Sequence, residues 1–163
     1  MKGRGMSGLE PRGFRWVIAG RLAVSERIGG YGFQHRRVRR EEEIVWLKEQ
    51  GINSVVSLLA SNQNRAAYET AGFAFRSVPV DGDPEEVDEV EVVFSTLDEA
   101  LGEPGASVLM HRDIIDDTLS GILAGYLVHS GMVQDPIVAT SVIQEIVGRP
   151  MGPAGRRLIP TVG

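Results

Sequence analysis

Apolar and polar positions along this chain follow two periods in turn. Residues 14–24, FRWVIAGRLAV, are apolar and β-branched on either side of Gly20, which predicts one or two short strands. Residues 52–60, INSVVSLLA, form an apolar run of strand length, the pattern of a strand covered on both faces. Residues 73–80 and 106–110 read as two more strands. Elsewhere the step changes to three and four. Val87, Val90, Phe94, Leu97 and Leu101 make one apolar stripe on an otherwise acidic helix. Residues 119–130 predict a helix that is apolar on most sides and therefore buried. Asp135-Pro136 supplies an N-cap followed by proline at the first helical position, opening a helix to about Val147.

Capping and turn residues fill in the rest. Glu41, Glu42 and Glu43 are expected to open a helix running to about Gln50. Carboxylates suit its positive end, Lys48 suits its negative end, and Gly51 is a good residue to follow it. Residues 62–71 predict a shorter helix closed by Gly72. Asp81-Gly82-Asp83-Pro84 has strong turn chemistry, with Pro84 expected in the first turn of the next helix. This alternation of helices and strands predicts an α/β fold with a central, mainly parallel sheet flanked by helices. Residues 1–13 carry four Gly, one Pro and three basic residues and read as a flexible leader. Residues 14–150 form the expected domain, and residues 151–163 an irregular tail.

Composition narrows the function classes. A length of 163 residues suits one domain. Seventeen Lys and Arg against 22 Asp and Glu give a net charge of −5, a poor basis for general nucleic-acid binding. No apolar run reaches the roughly 18–20 residues that span a bilayer. The basic N-terminus lacks the apolar stretch of a secretory signal, so the expected location is cytoplasmic. There is no cysteine, which excludes disulfides, thiolate metal sites and thiol nucleophiles.

The strand at 106–110 runs into HRDIIDDT and then into the buried helix. A strand–loop–helix step of this kind aims backbone N–H groups and a helix N-terminus at one spot, which favours an anion. Here the sequence resembles the cysteine-dependent protein tyrosine and dual-specificity phosphatases, especially the small atypical type. Phe14, Trp16, Val17, Gly20, Leu22 and Ala23 match their F-x-W-V-x-x-G-x-L-A segment. LKEQGINSVVSL is similar to their helix-to-strand step, and VPVDGDP to the loop that carries their general acid. SVLMHRDIIDDTLSGILAGYLV resembles their phosphate loop and following helix, and Arg149-Pro150 a dipeptide beyond the next helix.

The resemblance fails at its chemistry. The family needs a Cys thiolate to attack phosphorus and an Arg six residues on to grip the phosphate. Aligning on Ser120-Gly121, the preferred register because a helix start is the less elastic part, puts Asp113 at the Cys position. Arg112 then stands at the His position, Asp116 at the loop Gly and Leu119 at the Arg. Aligning on His111 puts Arg112 at the Cys position and Thr118 at the Arg position. Asp113, Asp116 and Asp117 would also face a phosphate dianion. Two unit charges about 5 Å apart cost roughly 3 kcal/mol at an effective dielectric of about 20, more than a helix N-terminus offsets.

The expectation is therefore a catalytically inactive, phosphatase-like binding or regulatory module, with no cofactor and no metal. The alternative is a hydrolase with altered, metal-assisted chemistry. In it Asp113 replaces the nucleophile, and Asp81, Asp116 and Asp117 converge on a divalent cation. Asp81 matches the general-acid position, with Asp83 as its substitute, although an Asx turn explains both. His111 and His129 lack neighbours at metal-ligand spacing and read as structural. Trp16 and Trp46 read as core residues. A basic cluster of His35, Arg36, Arg37, Arg39 and Arg40 precedes Glu41–Glu43. Pairing within that run is its ordinary fate, and docking of an acidic or phosphorylated protein partner is the functional one. The sequence leaves the oligomeric state open.

Overall fold

The computed structural model describes residues 8–30, 35–61 and 63–161. Five strands, β1 (Arg15–Ile18), β2 (Leu22–Glu26), β3 (Ser54–Ser57), β4 (Ala74–Ser77) and β5 (Val108–Arg112), form one sheet in the order β1-β2-β5-β3-β4. The β1–β2 pair is antiparallel, and the other three pairings are parallel. Among the described residues there are six α-helices: α1 (Arg37–Glu49), α2 (Arg65–Thr70), α3 (Glu91–Gly102), α4 (Asp117–His129), α5 (Pro136–Val147) and α6 (Pro153–Arg156). The expected α/β architecture holds. Among the described residues no helix is long and apolar enough to cross a membrane.

Strand alternation divides the core in two. Leu22, Val24, Val56, Val108 and Met110 pack with α3, α4 and α5 on one face. Ala23, Val55 and Leu109 pack with α1 and α2 on the other, beside Ile44, Leu47, Tyr68 and Phe73. The stripe on α3 is buried at Phe94 and Leu97, and α4 is buried along most of its length, as its pattern predicts. Phe14 meets Trp16 and Trp46 edge to face in the second core. Asp135 caps α5, accepting from the Ile137 N–H at 2.8 Å ahead of Pro136.

Four expectations need correction. First, α1 starts at Arg37, a turn earlier than Glu41–Glu43 suggest. Guanidiniums in the first turn oppose the helix dipole. Pairs one turn apart, Arg37–Glu41 at 3.0 Å and Arg39–Glu43 at 3.1 Å, offset that cost. Second, β5 continues through His111 and Arg112, and α4 takes in Asp117 and Thr118, so only residues 113–116 connect them. Third, Pro84 precedes a short 3-10 helix, Val87–Val90, and does not lie in a helical turn. The Glu89 carboxylate accepts from the N–H groups of Glu85 and Glu86 to start it.

Fourth, the segment expected as an irregular tail holds α6 and adds Met151, Leu158 and Ile159 to the larger core. Its docking depends on small residues. A Cβ on Gly121 would lie 2.5 Å from the Gly155 Cα, and one on Gly125 would lie 2.7 Å from the Leu158 carbonyl oxygen. Backbone thus meets backbone where α4 has glycine. Of the leader, residues 1–7 lie outside the described residues. Residues 8–13 run against α1 and β2, with the Leu9 N–H donating to the Glu42 carbonyl and the Glu26 N–H to that of Arg12.

Candidate functional site

β2, β5 and β3 run parallel, so their carboxyl ends meet at one edge of the sheet, where open α/β folds carry their sites. The 113–116 connection and the N-terminus of α4 sit on that edge, over a shallow depression of about 290 Å³ lined by Arg112, Asp113, Ile114 and Asp116. Each charged group in it already has an internal partner.

Asp116 is the N-cap of α4. Its Oδ1 accepts from the Leu119 N–H at 2.9 Å, and its Oδ2 accepts from Arg112 Nη1 at 2.9 Å. A carboxylate of the chain itself thus stands where the helix N-terminus would hold an external anion. Arg112 Nη2 donates onward to the carbonyls of Gly82 and Val80. Thr118 Oγ1 donates to Asp83 Oδ1 at 2.9 Å. The 80–83 loop is therefore tied to both ends of the connection. Asp81 is exposed on that loop and makes no hydrogen bond among the described residues.

Asp113 turns the other way. Its Oδ1 pairs with Arg27 Nη1 at 3.3 Å, and Arg27 Nη2 donates to Ser61 Oγ at 3.2 Å and to Gln63 Oε1. Arg27 follows β2, is buried, and was not identified in the sequence reading. The signal was present: one Arg between an apolar strand and Gly29-Gly30. Asp117 faces away from the depression. Its two oxygens accept from the N–H groups of Gly152 and Gly155, at 2.6 and 2.7 Å, and hold the tail.

Of the four carboxylates expected to converge for metal-assisted chemistry, Asp113, Asp116 and Asp117 therefore point to three different places, and Asp81 stands exposed on the 80–83 loop. Among the described residues, no three His, Asp or Glu side chains are grouped to hold a metal ion. Leu119, in the first turn of α4, is buried in the core, and Gly121 faces the tail. Ser120 is buried, and its Oγ has no partner among the described residues. His129 bonds Asp98 Oδ2 at 2.7 Å on the far side of α4. Its partner Asp98 also accepts from the Tyr126 hydroxyl, and burial together with that bond raises the Tyr126 pKa.

Beneath the connection lies a second feature invisible in the sequence. His111 is 1% exposed, stacks on Tyr68 with centroids 5.9 Å apart, and among the described residues has no hydrogen-bond partner on either ring nitrogen. Burial, and then the Arg27 charge, lower its pKa to about 4, so the ring is neutral at pH 7. The Tyr68 hydroxyl is likewise buried and unpartnered, and its pKa is raised by burial and by Glu43. Glu43 is fully buried, accepts from the Gly29 N–H at 2.6 Å and pairs with Arg39. Burial raises its pKa despite these partners.

The basic cluster separates by role. Arg37 and Arg39 are held by Glu41 and Glu43. Arg36 donates to the His35 carbonyl, and His35 Nε2 lies 3.2 Å from Asn64 Oδ1. Arg40 lines a groove between α1 and α2, and its Nε is buried with no partner among the described residues.

No protein-family model matches the sequence, and no curated protein matches it. Solved structures do match the fold. The kinase associated phosphatase, with its catalytic-site cysteine replaced by serine, superposes with a TM-score of 0.71 at 14% identity over 90% of each chain. The active form of Tk-PTP gives 0.65 at 15% identity, over 88% of this chain and 90% of that one. A single-residue variant of human DUSP28 gives 0.61 at 16% identity, over 90% and 89%. The fold is thus phosphatase-like. At these identities the likeness concerns architecture alone.

Proposed function

We propose that this chain is a catalytically silent, phosphatase-like module that acts by binding a protein partner. The observation that carries this reading is the Arg112–Asp116 pair at the start of α4. In a phosphatase of this fold the helix N-terminus and an arginine converge on substrate phosphate. Here they converge on the chain's own carboxylate, so an incoming dianion would have to displace it. It would also meet Asp113 beside it, at a cost of several kcal/mol in a partly buried site.

The kinase associated phosphatase is described as having a catalytic-site cysteine, and this chain has none. Either alignment leaves a committed residue where a nucleophile is needed. Asp113 is engaged by Arg27, and Arg112 by Asp116 and the 80–82 carbonyls. Asp81 would then have no leaving group to protonate.

The test is hydrolysis of p-nitrophenyl phosphate by the wild type and Asp113→Asn, each with and without Mg²⁺ or Mn²⁺. The expected result is no turnover above buffer in every arm, and no heat of orthovanadate binding by calorimetry. Metal-dependent turnover that disappears in Asp113→Asn would establish altered chemistry instead.

A further inference from the structure

An Asp or Asn side chain can close on the backbone nitrogen of the next residue to make a five-membered imide, most readily when Gly or Ser follows. This chain has two such dipeptides, Asn53-Ser54 and Asp81-Gly82. The fold locks the first. Asn53 Nδ2 donates to the Gly105 carbonyl at 3.0 Å, and its Oδ1 accepts from the Ser107 N–H at 2.9 Å. The Ser54 N–H donates to the Ser107 carbonyl at 3.2 Å, so the nitrogen that would attack is held as well. The second dipeptide is open. Among the described residues the exposed Asp81 carboxylate accepts no hydrogen bond, and the Gly82 N–H donates none. A Cβ on Gly82 would meet nothing within 4 Å, and its φ of 67° is one that glycine adopts readily. The points on either side are fixed, because Arg112 Nη2 donates to the carbonyls of Val80 and Gly82. The reacting pair is thus free and unshielded between two anchors.

We propose that Asp81-Gly82 is a site of spontaneous isomerisation, and that the isoaspartyl product undoes the Arg112 clamp on the 80–83 loop. The Gly82 nitrogen attacks Cγ of the protonated Asp81 carboxyl. A Cγ–N bond forms and a Cγ–OH bond breaks. The hydroxyl leaves with the hydrogen of the nitrogen as one water, and a succinimide remains. Water then opens the ring. Breaking the bond between the nitrogen and Cγ restores aspartate. Breaking the bond between the nitrogen and the Asp81 main-chain carbonyl carbon leaves the chain running through Cβ and Cγ, with the former main-chain carbonyl as a free carboxylate. Nothing is oxidised or reduced, water is the sole co-reactant, and the net charge is unchanged. The product has one more backbone atom between the Val80 and Gly82 carbonyls. One guanidinium nitrogen, Arg112 Nη2, now reaches both of them, and the longer link moves them apart. The inference is independent of what the module binds and concerns the loop that closes over the start of α4.

The test keeps the full chain at neutral pH and physiological temperature for several weeks, native or unfolded in urea, then digests it for mass spectrometry with electron-transfer fragmentation. In the native protein, isoaspartate at Asp81 should form about tenfold or more faster than Asn53 deamidates. In urea the order should level or reverse, because ammonia leaves an amide more readily than water leaves a carboxyl, and the hydrogen bonds that hold Asn53 are gone. Asp81→Glu, whose imide would need a six-membered ring, should yield no isomer at this position. The isolated isoaspartyl form should react severalfold faster with cyclohexanedione at Arg112, whose side chain is 12% exposed in the native clamp. Native Asn53 reacting as fast as Asp81, or Asp81 converting about tenfold more slowly in the native protein than in urea, would overturn the site. The same isomer signal from Asp81→Glu would do so too. Unchanged Arg112 reactivity in the isoaspartyl form would overturn the release of the clamp. None of these readouts involves turnover, so the catalytically silent reading stands or falls separately.

Discussion

On one face of the sheet, α3, α4, α5 and the tail bury a large apolar core, closed where Gly121 and Gly125 let the tail backbone approach α4. On the other face, α1 and α2 cover a smaller apolar core whose margin holds Glu43, Tyr68 and His111, all inaccessible to solvent. The first face is held by packing and by Asp117, which anchors the tail, and it too buries a hydroxyl, Ser120 Oγ, without a hydrogen-bond partner among the described residues. The second carries buried ionisable groups at its margin, and among the described residues Tyr68 Oη and both ring nitrogens of His111 have no hydrogen-bond partner. Buried polar groups cost stability when unmatched. Glu43 and His111, whose burial shifts their protonation, both lie on the second face, so that face is the more sensitive to pH.

The contrast can be broken by mutation, and the largest effect should come from the packed face. Gly121→Ala drives a methyl group into the backbone of Gly155, which is not the yielding end of a side chain. The tail must shift, at an expected cost of about 3 kcal/mol in urea unfolding. A change below the measurement error would mean that α6 docks loosely and that the two faces are less different than they look.

The polar face should reveal itself through pH. His111 titrates at about 4 in the folded protein and near 6.5 when unfolded, so below pH 6.5 the unfolded chain binds the proton first. Stability should therefore fall as pH drops from 6.5 towards 4, with about 2 kcal/mol lost between pH 7 and pH 5 through this group. Glu43 works the opposite way. Its raised folded pKa makes the native state the better proton acceptor, so this carboxyl adds stability as pH falls through that value. Urea unfolding of wild type and His111→Gln at pH 7 and pH 5 isolates the histidine. The wild type should lose more than the variant on acidification, and parallel losses would mean that His111 finds a proton acceptor the native structure does not display.

The smallest effect belongs to the edge between the two faces. Asp116→Ala removes the cap from α4 and the counter-charge from Arg112, and should cost about 1 kcal/mol. Turnover of p-nitrophenyl phosphate should remain absent in this variant, because removing the internal anion supplies no nucleophile. Appearance of activity would show that Asp116 had been masking a functional site.

Much of the architecture was legible in the chain. Residues 52–60 read as a covered strand, of which Ser54–Ser57 form β3, and the α3 stripe faces the core, because apolar periodicity is set locally. Asp135-Pro136 announced the start of α5 for the same reason. The ends of elements were less legible. β5 reached past Met110 to Arg112 because pairing with β2 and β3 held it extended, and α1 began early because two ion pairs one turn apart offset an unfavourable first turn. Asp113, Asp116 and Asp117 looked alike as a cluster. Their three destinations depended on Arg27, Arg112 and Gly152, which lie up to 86 residues away in sequence.

The sequence by itself determined the α/β layering, the buried α4 and the lack of a thiol nucleophile, because periodicity and composition are properties of the chain. Only the tertiary structure decided which carboxylate meets which cation. Charges that are distant along the chain become neighbours only when the sheet brings its strand ends together.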